Sequence, residues 1–77
     1  MSISSKIKEI IAETLHISPE SVTDDLSIGD IPQWDSMGNI AVISAIEEKF
    51  DIEIPIEDLI DLNSVRSLVK EIEKING

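Results

Sequence analysis

The 77-residue sequence contains no cysteine, and it is poor in basic residues, in aromatic residues and in glycine. Without cysteine there is neither a disulfide framework nor a thiolate metal site, so the fold must be held together by packing alone. Six lysines and arginines stand against sixteen acidic residues, which gives a net charge of −10. Because nucleic acids and anionic membrane surfaces both require a basic face on the protein, this charge argues against either as a partner.

The sequence also lacks long apolar runs. None approaches the length of a membrane span, and the N-terminus has no continuous apolar stretch of the kind that signal peptides carry. We therefore expect a cytoplasmic protein without membrane insertion. Forty-two per cent of the residues are apolar, which suffices for one modest core, so we expect residues 1–77 to form a single domain and to be monomeric.

The acidic residues are concentrated in the middle of the chain. From Glu20 to Asp61 there are twelve acids and one base, a net charge of −11, whereas the two flanks together carry four acids and five bases, a net charge of +1. An acidic centre is typical of a surface that meets basic partners, although it can also serve solubility alone.

Apolar residues at helical spacing predict three longer helices. The first covers residues 3–15, and Pro19 is the latest point at which it can end. The second begins after Asp35 and carries apolar residues on more than one face, so it should be the most buried helix. The third begins at Val65, with Asn63 or Ser64 as its N-cap.

A short helical turn is expected over residues 57–61, behind Pro55. The alternative of a β-strand over residues 52–56 is disfavoured, because the sequence offers no second strand to pair with it. Residues 17–33 lack helical periodicity, but four aliphatic residues recur through them: Val22, Leu26, Ile28 and Ile31. A disordered linker would not carry so many, so this segment is expected to be a long ordered loop.

The expected fold class is therefore all-α. It is a small irregular four-helix bundle, with three longer helices and one short helix, and a long ordered loop between the first two helices. The eight aliphatic residues of its second half could line a cleft for a bound chain or could simply fill the core: Ile40, Ile43, Ile46, Phe50, Ile54, Val65, Leu68 and Val69.

No constellation of catalytic residues is evident. The single histidine, His16, lies at the end of the first helix, where a structural role is more plausible than that of a base or ligand. The acids Asp24, Asp25 and Asp30 lack the alternation of a calcium loop, and the three glycines are too far apart for a phosphate loop. We therefore do not expect an enzyme, and we expect no metal site.

One position stands out chemically. Asp35 can cap the first turn of the second helix, and Ser36 then projects from the helix N-terminus beside unpaired N–H groups and the positive end of the helix dipole. A phosphate ester on Ser36 would be favoured there. Nothing nearby in sequence could activate Ser36 as a nucleophile, so it would be modified rather than catalytic. Taken alone, an Asp-Ser pair before a helix is also ordinary capping chemistry.

Five short motifs follow one another along the chain: Ile17–Val22, Asp35-Ser36-Met37, Ala45–Pro55, Glu57-Asp58-Leu59 and Ser64-Val65. In their order and spacing they resemble the acyl carrier protein family. The resemblance implies a four-helix carrier whose serine, here Ser36, receives 4′-phosphopantetheine from coenzyme A through a phosphopantetheinyl transferase. Asp35 and Met37 would complete the attachment motif. The terminal thiol of the arm would carry acyl groups as thioesters, which accounts for a carrier without cysteine.

The resemblance also implies partner enzymes with basic docking patches, namely an acyl-loading ligase or transferase and downstream synthase enzymes. It suggests a docking face at four acidic residues: Glu47, Glu48, Asp58 and Asp61. Trp34 is a further candidate for a partner contact, although it could equally anchor the long loop to the bundle.

The sequence departs from the pattern of fatty-acid-type carriers around the serine. Gly38 and Ala41 stand where those carriers usually have acids, and Trp34 precedes the Asp-Ser pair where a small residue is common. These departures favour a carrier for a specialised pathway, such as natural-product or surface-glycan assembly. An aminoacyl or peptidyl carrier is a second interpretation, and an unmodified acidic helical adaptor is an alternative from another class.

Overall fold

The computed structural model describes residues 2–76 and contains four α-helices. In chain order they are α1 (Ile3–Leu15), α2 (Ser36–Phe50), α3 (Ile56–Leu59) and α4 (Val65–Asn76). Three long helices and one single turn confirm the predicted all-α bundle. The prediction for the first helix matches α1 at both ends. The short helix is predicted over residues 57–61, and α3 begins one residue before this range and ends two residues before its last residue. No β-strand occurs among residues 2–76.

Each of the three long helices is capped at its N-terminus by a side-chain oxygen, which accepts a hydrogen bond from the N–H three residues further on. The capping residues are Ser2, Asp35 and Ser64. A cap of this kind stabilises a helix by about 1 kcal/mol. At the other end of α1 and α2, His16 and Asp51 adopt left-handed backbone conformations, with φ of 57° and 55°. The N–H groups of His16 and Asp51 donate to the carbonyls of Ala12 and Glu47, so each residue closes the last turn of its helix.

The core is formed where α1 packs against α2 and α4. Five residues of α1 are buried, whereas α2 buries only three, namely Val42, Ile43 and Ile46. The prediction that the second helix is the most buried is therefore wrong. Its outer apolar face has no cover, because the segment that follows it forms only the four-residue α3, none of whose residues is buried. Met37 and Ile40 are consequently 80% and 66% exposed.

The long loop between α1 and α2 is ordered and tied to the α3–α4 connection. Leu26 accepts a hydrogen bond from the N–H of Val65 at 3.0 Å, and Ile28 donates its N–H to the carbonyl of Asn63 at 2.8 Å. Val22 is buried in the core, and the three other aliphatic residues of the loop pack against it. These contacts confirm the predicted ordered loop.

Seven of the eight aliphatic residues considered for a cleft fill or border the core, and the exception is Ile40. Buried are Ile43, Ile46, Ile54, Val65 and Leu68, and partly buried are Phe50 and Val69. The interpretation as ordinary core packing therefore describes this structure better than an open cleft does.

Candidate functional site

Ser36 is the first residue of α2, and it is exposed to solvent. Asp35 precedes it in an extended conformation, and its Oδ1 accepts the N–H of Gly38 at 2.8 Å. The carbonyl of Asp35 accepts the N–H of Asn39, also at 2.8 Å. Within residues 2–76, no protein group accepts the N–H of Ser36 or that of Met37. An anionic group on the Ser36 hydroxyl would therefore lie beside two free donors at the positive end of the helix dipole.

The surroundings of Ser36 contain no catalytic machinery. Its hydroxyl has no hydrogen-bonding partner in the described part of the chain, so no side chain there is placed to take its proton. No group of three histidine, cysteine or acidic residues among residues 2–76 is arranged to hold a metal ion. The geometry thus offers an accessible hydroxyl that another protein would have to activate.

Trp34 is completely buried, at 0% exposure. Its indole Nε1 donates a hydrogen bond to Oδ1 of Asn39 at 2.9 Å, and Nδ2 of Asn39 donates to the carbonyl of Leu62 at 2.8 Å. The prediction of Trp34 as a docking contact is therefore wrong, because a partner enzyme cannot reach a side chain that is enclosed by the core. The interpretation as an anchor for the loop agrees with the structure.

Gly38 is required by the packing of the loop on α2. A Cβ atom at this position would lie 2.6 Å from the carbonyl oxygen of Gln33 and 3.2 Å from Cδ2 of Leu15. The missing acid next to Ser36 therefore has a steric cause. Sequence reasoning missed both this contact and the role of Asn39, since neither can be seen before the path of the loop is known.

The four predicted docking acids differ in their surroundings. Glu48 and Asp61 are exposed. Glu47 is half-buried, and its Oε2 accepts the backbone N–H of Ile54 at 2.8 Å. This bond holds the segment that precedes α3 against the end of α2. Glu47 therefore supports the fold, while Glu48 and Asp61 present their charge to solvent.

Asp58 also has partners within the chain. Its Oδ2 lies 3.3 Å from Nζ of Lys74, which in turn lies 3.2 Å from Oε1 of the buried Glu71. A hydrogen bond with Glu71 and a second with Lys74 hold the pKa of Asp58 below its usual value of 3.8. Since Lys74 already balances this carboxylate, Asp58 is less available to a basic partner than Glu48 or Asp61.

Four large apolar side chains remain exposed on α2 and around α3: Met37, Ile40, Ile56 and Ile60, at 80%, 66%, 80% and 81% exposure. We call these four residues the apolar rim. The hydrogen bonds from Asn39 to Leu62 and from Ile54 to Glu47 attach the α3 segment to α2 at both of its ends. Both ends of the α3 segment are thus fixed to α2, and Met37 of the rim follows Ser36 directly in the chain.

A small four-helix bundle with an exposed serine at the start of its second helix agrees with the carrier architecture that the sequence resemblance implies. A family model described as "Phosphopantetheine attachment site" matches residues 5–72. An acyl carrier protein of Bdellovibrio bacteriovorus is 38% identical over 96% of this chain and 95% of its own length. An acyl carrier protein of Akkermansia muciniphila is 37% identical over 99% of this chain and 95% of its own length.

The chain belongs to the acyl carrier protein family. Membership defines its cofactor as covalently attached 4′-phosphopantetheine and its role as that of a carrier. The residues around Ser36 fit such a group, because a phosphate ester on its accessible hydroxyl would lie close to two backbone N–H groups that have no acceptor within the described residues. The family also works with a phosphopantetheinyl transferase and with biosynthetic enzymes. Within residues 2–76, no helix is long and apolar enough to cross a membrane.

Proposed function

We propose that Ser36 carries the 4′-phosphopantetheine and that the chain shuttles acyl thioesters between the enzymes of a specialised biosynthetic pathway. The observation that carries the attachment site is the exposed Ser36 hydroxyl at the first position of α2, next to the free N–H groups of Ser36 and Met37. These donors would face the phosphate of the arm and stabilise its negative charge.

Loading would proceed by phosphoryl transfer from coenzyme A. The Ser36 oxygen attacks the phosphorus that bears the pantetheine, an O–P ester bond forms, and the P–O bond of the pyrophosphate breaks. Adenosine 3′,5′-bisphosphate leaves, and the serine proton passes to a base of the transferase. This chain contributes an accessible, fixed hydroxyl and the donors at the helix terminus, whereas the transferase supplies the base and the metal ion.

The partner enzymes would dock on the surface that begins at Ser36 and includes the apolar rim. Glu48 and Asp61 are its two predicted docking acids without an internal partner in the described residues, so we propose them as the main electrostatic contacts. An apolar centre with a charged margin is the usual anatomy of a protein interface. Charges at such a margin act mainly on the rate and selectivity of encounter, which suits a carrier that must leave each partner again.

The specialised pathway is supported by the absence of acids at positions 38 and 41, near Ser36. Gly38 and Ala41 provide no acid there, and Gly38 cannot be exchanged for an acid without moving the loop. A partner that relies on acids next to the arm would recognise this chain poorly. The mass of the group that is thioester-linked to protein purified from its own host would identify the cargo and would separate acyl from aminoacyl transport.

Intact-mass measurement tests the attachment site. The unmodified protein is incubated with coenzyme A and a transferase of broad specificity, and it should gain the mass of one phosphopantetheine arm. Ser36→Ala should gain nothing, whereas Ser44→Ala, which removes an exposed hydroxyl from the same helix, should be modified like the parent. If the parent stays unmodified, or if Ser36→Ala is modified as well, Ser36 is not the attachment residue.

A further inference from the structure

The side chain of Asn39 joins three segments of the chain beside Ser36. Its Oδ1 accepts the indole N–H of Trp34 at 2.9 Å, and its Nδ2 donates to the carbonyl of Leu62 at 2.8 Å. One amide therefore connects the end of the long loop, the first turn of α2 and the α3–α4 connection. Both hydrogen bonds lie in partly buried surroundings, where competition from water is reduced.

The bond between Trp34 and Asn39 spans the attachment residue. Trp34 precedes Ser36 by two residues, and Asn39 follows it by three. The side chain of Asp35 bonds only to Gly38, within the same turn, so the cap does not connect the start of α2 to another segment. The Asn39 bonds are different, because they fix this turn relative to the buried indole and to the α3–α4 connection.

A close contact between the loop and α2 restrains the same backbone around Ser36. Because Gly38 has no Cβ, the carbonyl of Gln33 can lie directly against the first turn of the helix. Trp34 follows Gln33, and its fully buried side chain holds the loop in that place. The backbone is thus held on both sides of Ser36. The contact of Gln33 with Gly38 fixes the loop before the serine, and the Asn39 amide fixes the helical turn after it.

We propose that Asn39 is a positioning residue for the loading of Ser36. It acts through the backbone that flanks the serine and holds the hydroxyl in the orientation required for attack on phosphorus. The inference rests on the proposed role of Ser36 as the attachment residue. Transfer to a hydroxyl depends steeply on its placement, so disorder in the flanking backbone should slow the chemical step more than it weakens binding of the carrier.

The test is the steady-state rate of phosphopantetheine transfer from coenzyme A to the full chain, well below the melting temperature of every variant. Asn39→Ala should lower kcat about tenfold with nearly unchanged KM, since a displacement of a reacting group by a fraction of an ångström acts on this scale. Asn39→Asp keeps an acceptor for Trp34 but sets a carboxylate oxygen against the carbonyl of Leu62, so its kcat should also fall below that of the parent.

Two variants serve as controls. Asn63→Ala makes the same chemical change at an exposed asparagine next to Leu62, and it should be loaded like the parent. Glu48→Gln removes a proposed docking charge, and it should raise KM with little change in kcat. This contrast separates positioning from docking. Trp34→Phe removes the indole donor together with part of a fully buried ring. It tests the same bond should Asn39→Ala fail to fold, and it too should lower kcat.

Three results would overturn the inference. The first is a kcat for Asn39→Ala and Trp34→Phe equal to that of the parent, and the second is a change confined to KM, which would make Asn39 a docking residue. The third is a parent protein that is not loaded at all, which would refute the proposed function itself. If the parent is loaded at Ser36 and Asn39→Ala has the same kcat, the proposed function stands and only the positioning role of Asn39 is refuted.

Discussion

Replacing Gly38 by alanine should destabilise the fold, although alanine is the better helix former. The new Cβ would lie 2.6 Å from the carbonyl oxygen of Gln33, whereas ordinary contacts begin near 3.4 Å. The loop must therefore retreat by several tenths of an ångström. Because Gln33 precedes the fully buried Trp34, this retreat pulls on the largest side chain of the core.

The magnitude follows from two opposing effects. Overpacking a well-packed site costs about 1–3 kcal/mol. Exchanging glycine for alanine within a helix returns about 0.5–1 kcal/mol. The midpoints of these ranges give an expected net loss for Gly38→Ala of about 1 kcal/mol, which for a domain of this size lowers the melting temperature by about 4–8 °C. Gly38→Asp, which restores the acid of fatty-acid-type carriers, meets the same carbonyl and should also be destabilised.

Thermal unfolding followed by far-ultraviolet circular dichroism measures this loss. Trp34 is the sole tryptophan, so its fluorescence reports separately whether the loop has moved. Ser44→Ala, an exposed exchange to alanine in the same helix, gives the effect of helix propensity alone and should change stability by only a few tenths of a kcal/mol. A Gly38→Ala protein as stable as the parent, with unchanged tryptophan emission, would refute the steric argument.

Three further outcomes are expected. Asp35→Ala removes the N-cap of α2 and should lower the free energy of unfolding, measured with urea, by about 1 kcal/mol; no change would mean that the cap contributes nothing. The hydrogen bond and the charge of Lys8 hold the pKa of Asp24 below 3.8 in the folded protein. The stability that this pair provides is therefore complete above pH 3.8, and it is lost as the pH falls through the lowered pKa of the folded state. Asp24→Asn should therefore lower the melting temperature near neutral pH but not in strong acid, and an equal effect at both would contradict this assignment. Added salt should raise the melting temperature by screening the net charge of −11 between Glu20 and Asp61, and indifference to salt would show that these acids are already well separated.

The helices could be predicted from the sequence because their signals are local. Apolar spacing and capping side chains act within one or two turns, and α1 begins and ends where these signals place it. Ser36 could be singled out for the same reason, since its position at a helix N-terminus depends only on its neighbours. The family resemblance then rested on motifs whose order is preserved along the chain.

The errors concern contacts between distant segments. Asn39 and Leu62 are 23 positions apart, and only the folded chain brings them together. Periodicity showed that α2 is apolar on more than one face, but it could not show that the following segment leaves one of those faces uncovered. Trp34 was ambiguous for a related reason, because a tryptophan in a loop can face the core or a partner, and the path of the loop decides which.

The departures from fatty-acid-type carriers near Ser36 are physically linked. A tryptophan buried at position 34 needs an acceptor for its indole N–H, which Asn39 provides, and the loop that carries it needs the space left by Gly38. The missing acid at position 38 is then a consequence of how the loop packs. What remains beside the serine, apart from the capping carboxylate of Asp35, is a surface without acids on which Met37 and Ile40 are exposed. If partner enzymes select this carrier at Ser36, we expect them to recognise apolar shape beside the serine and acidic side chains such as Glu48 further along α2.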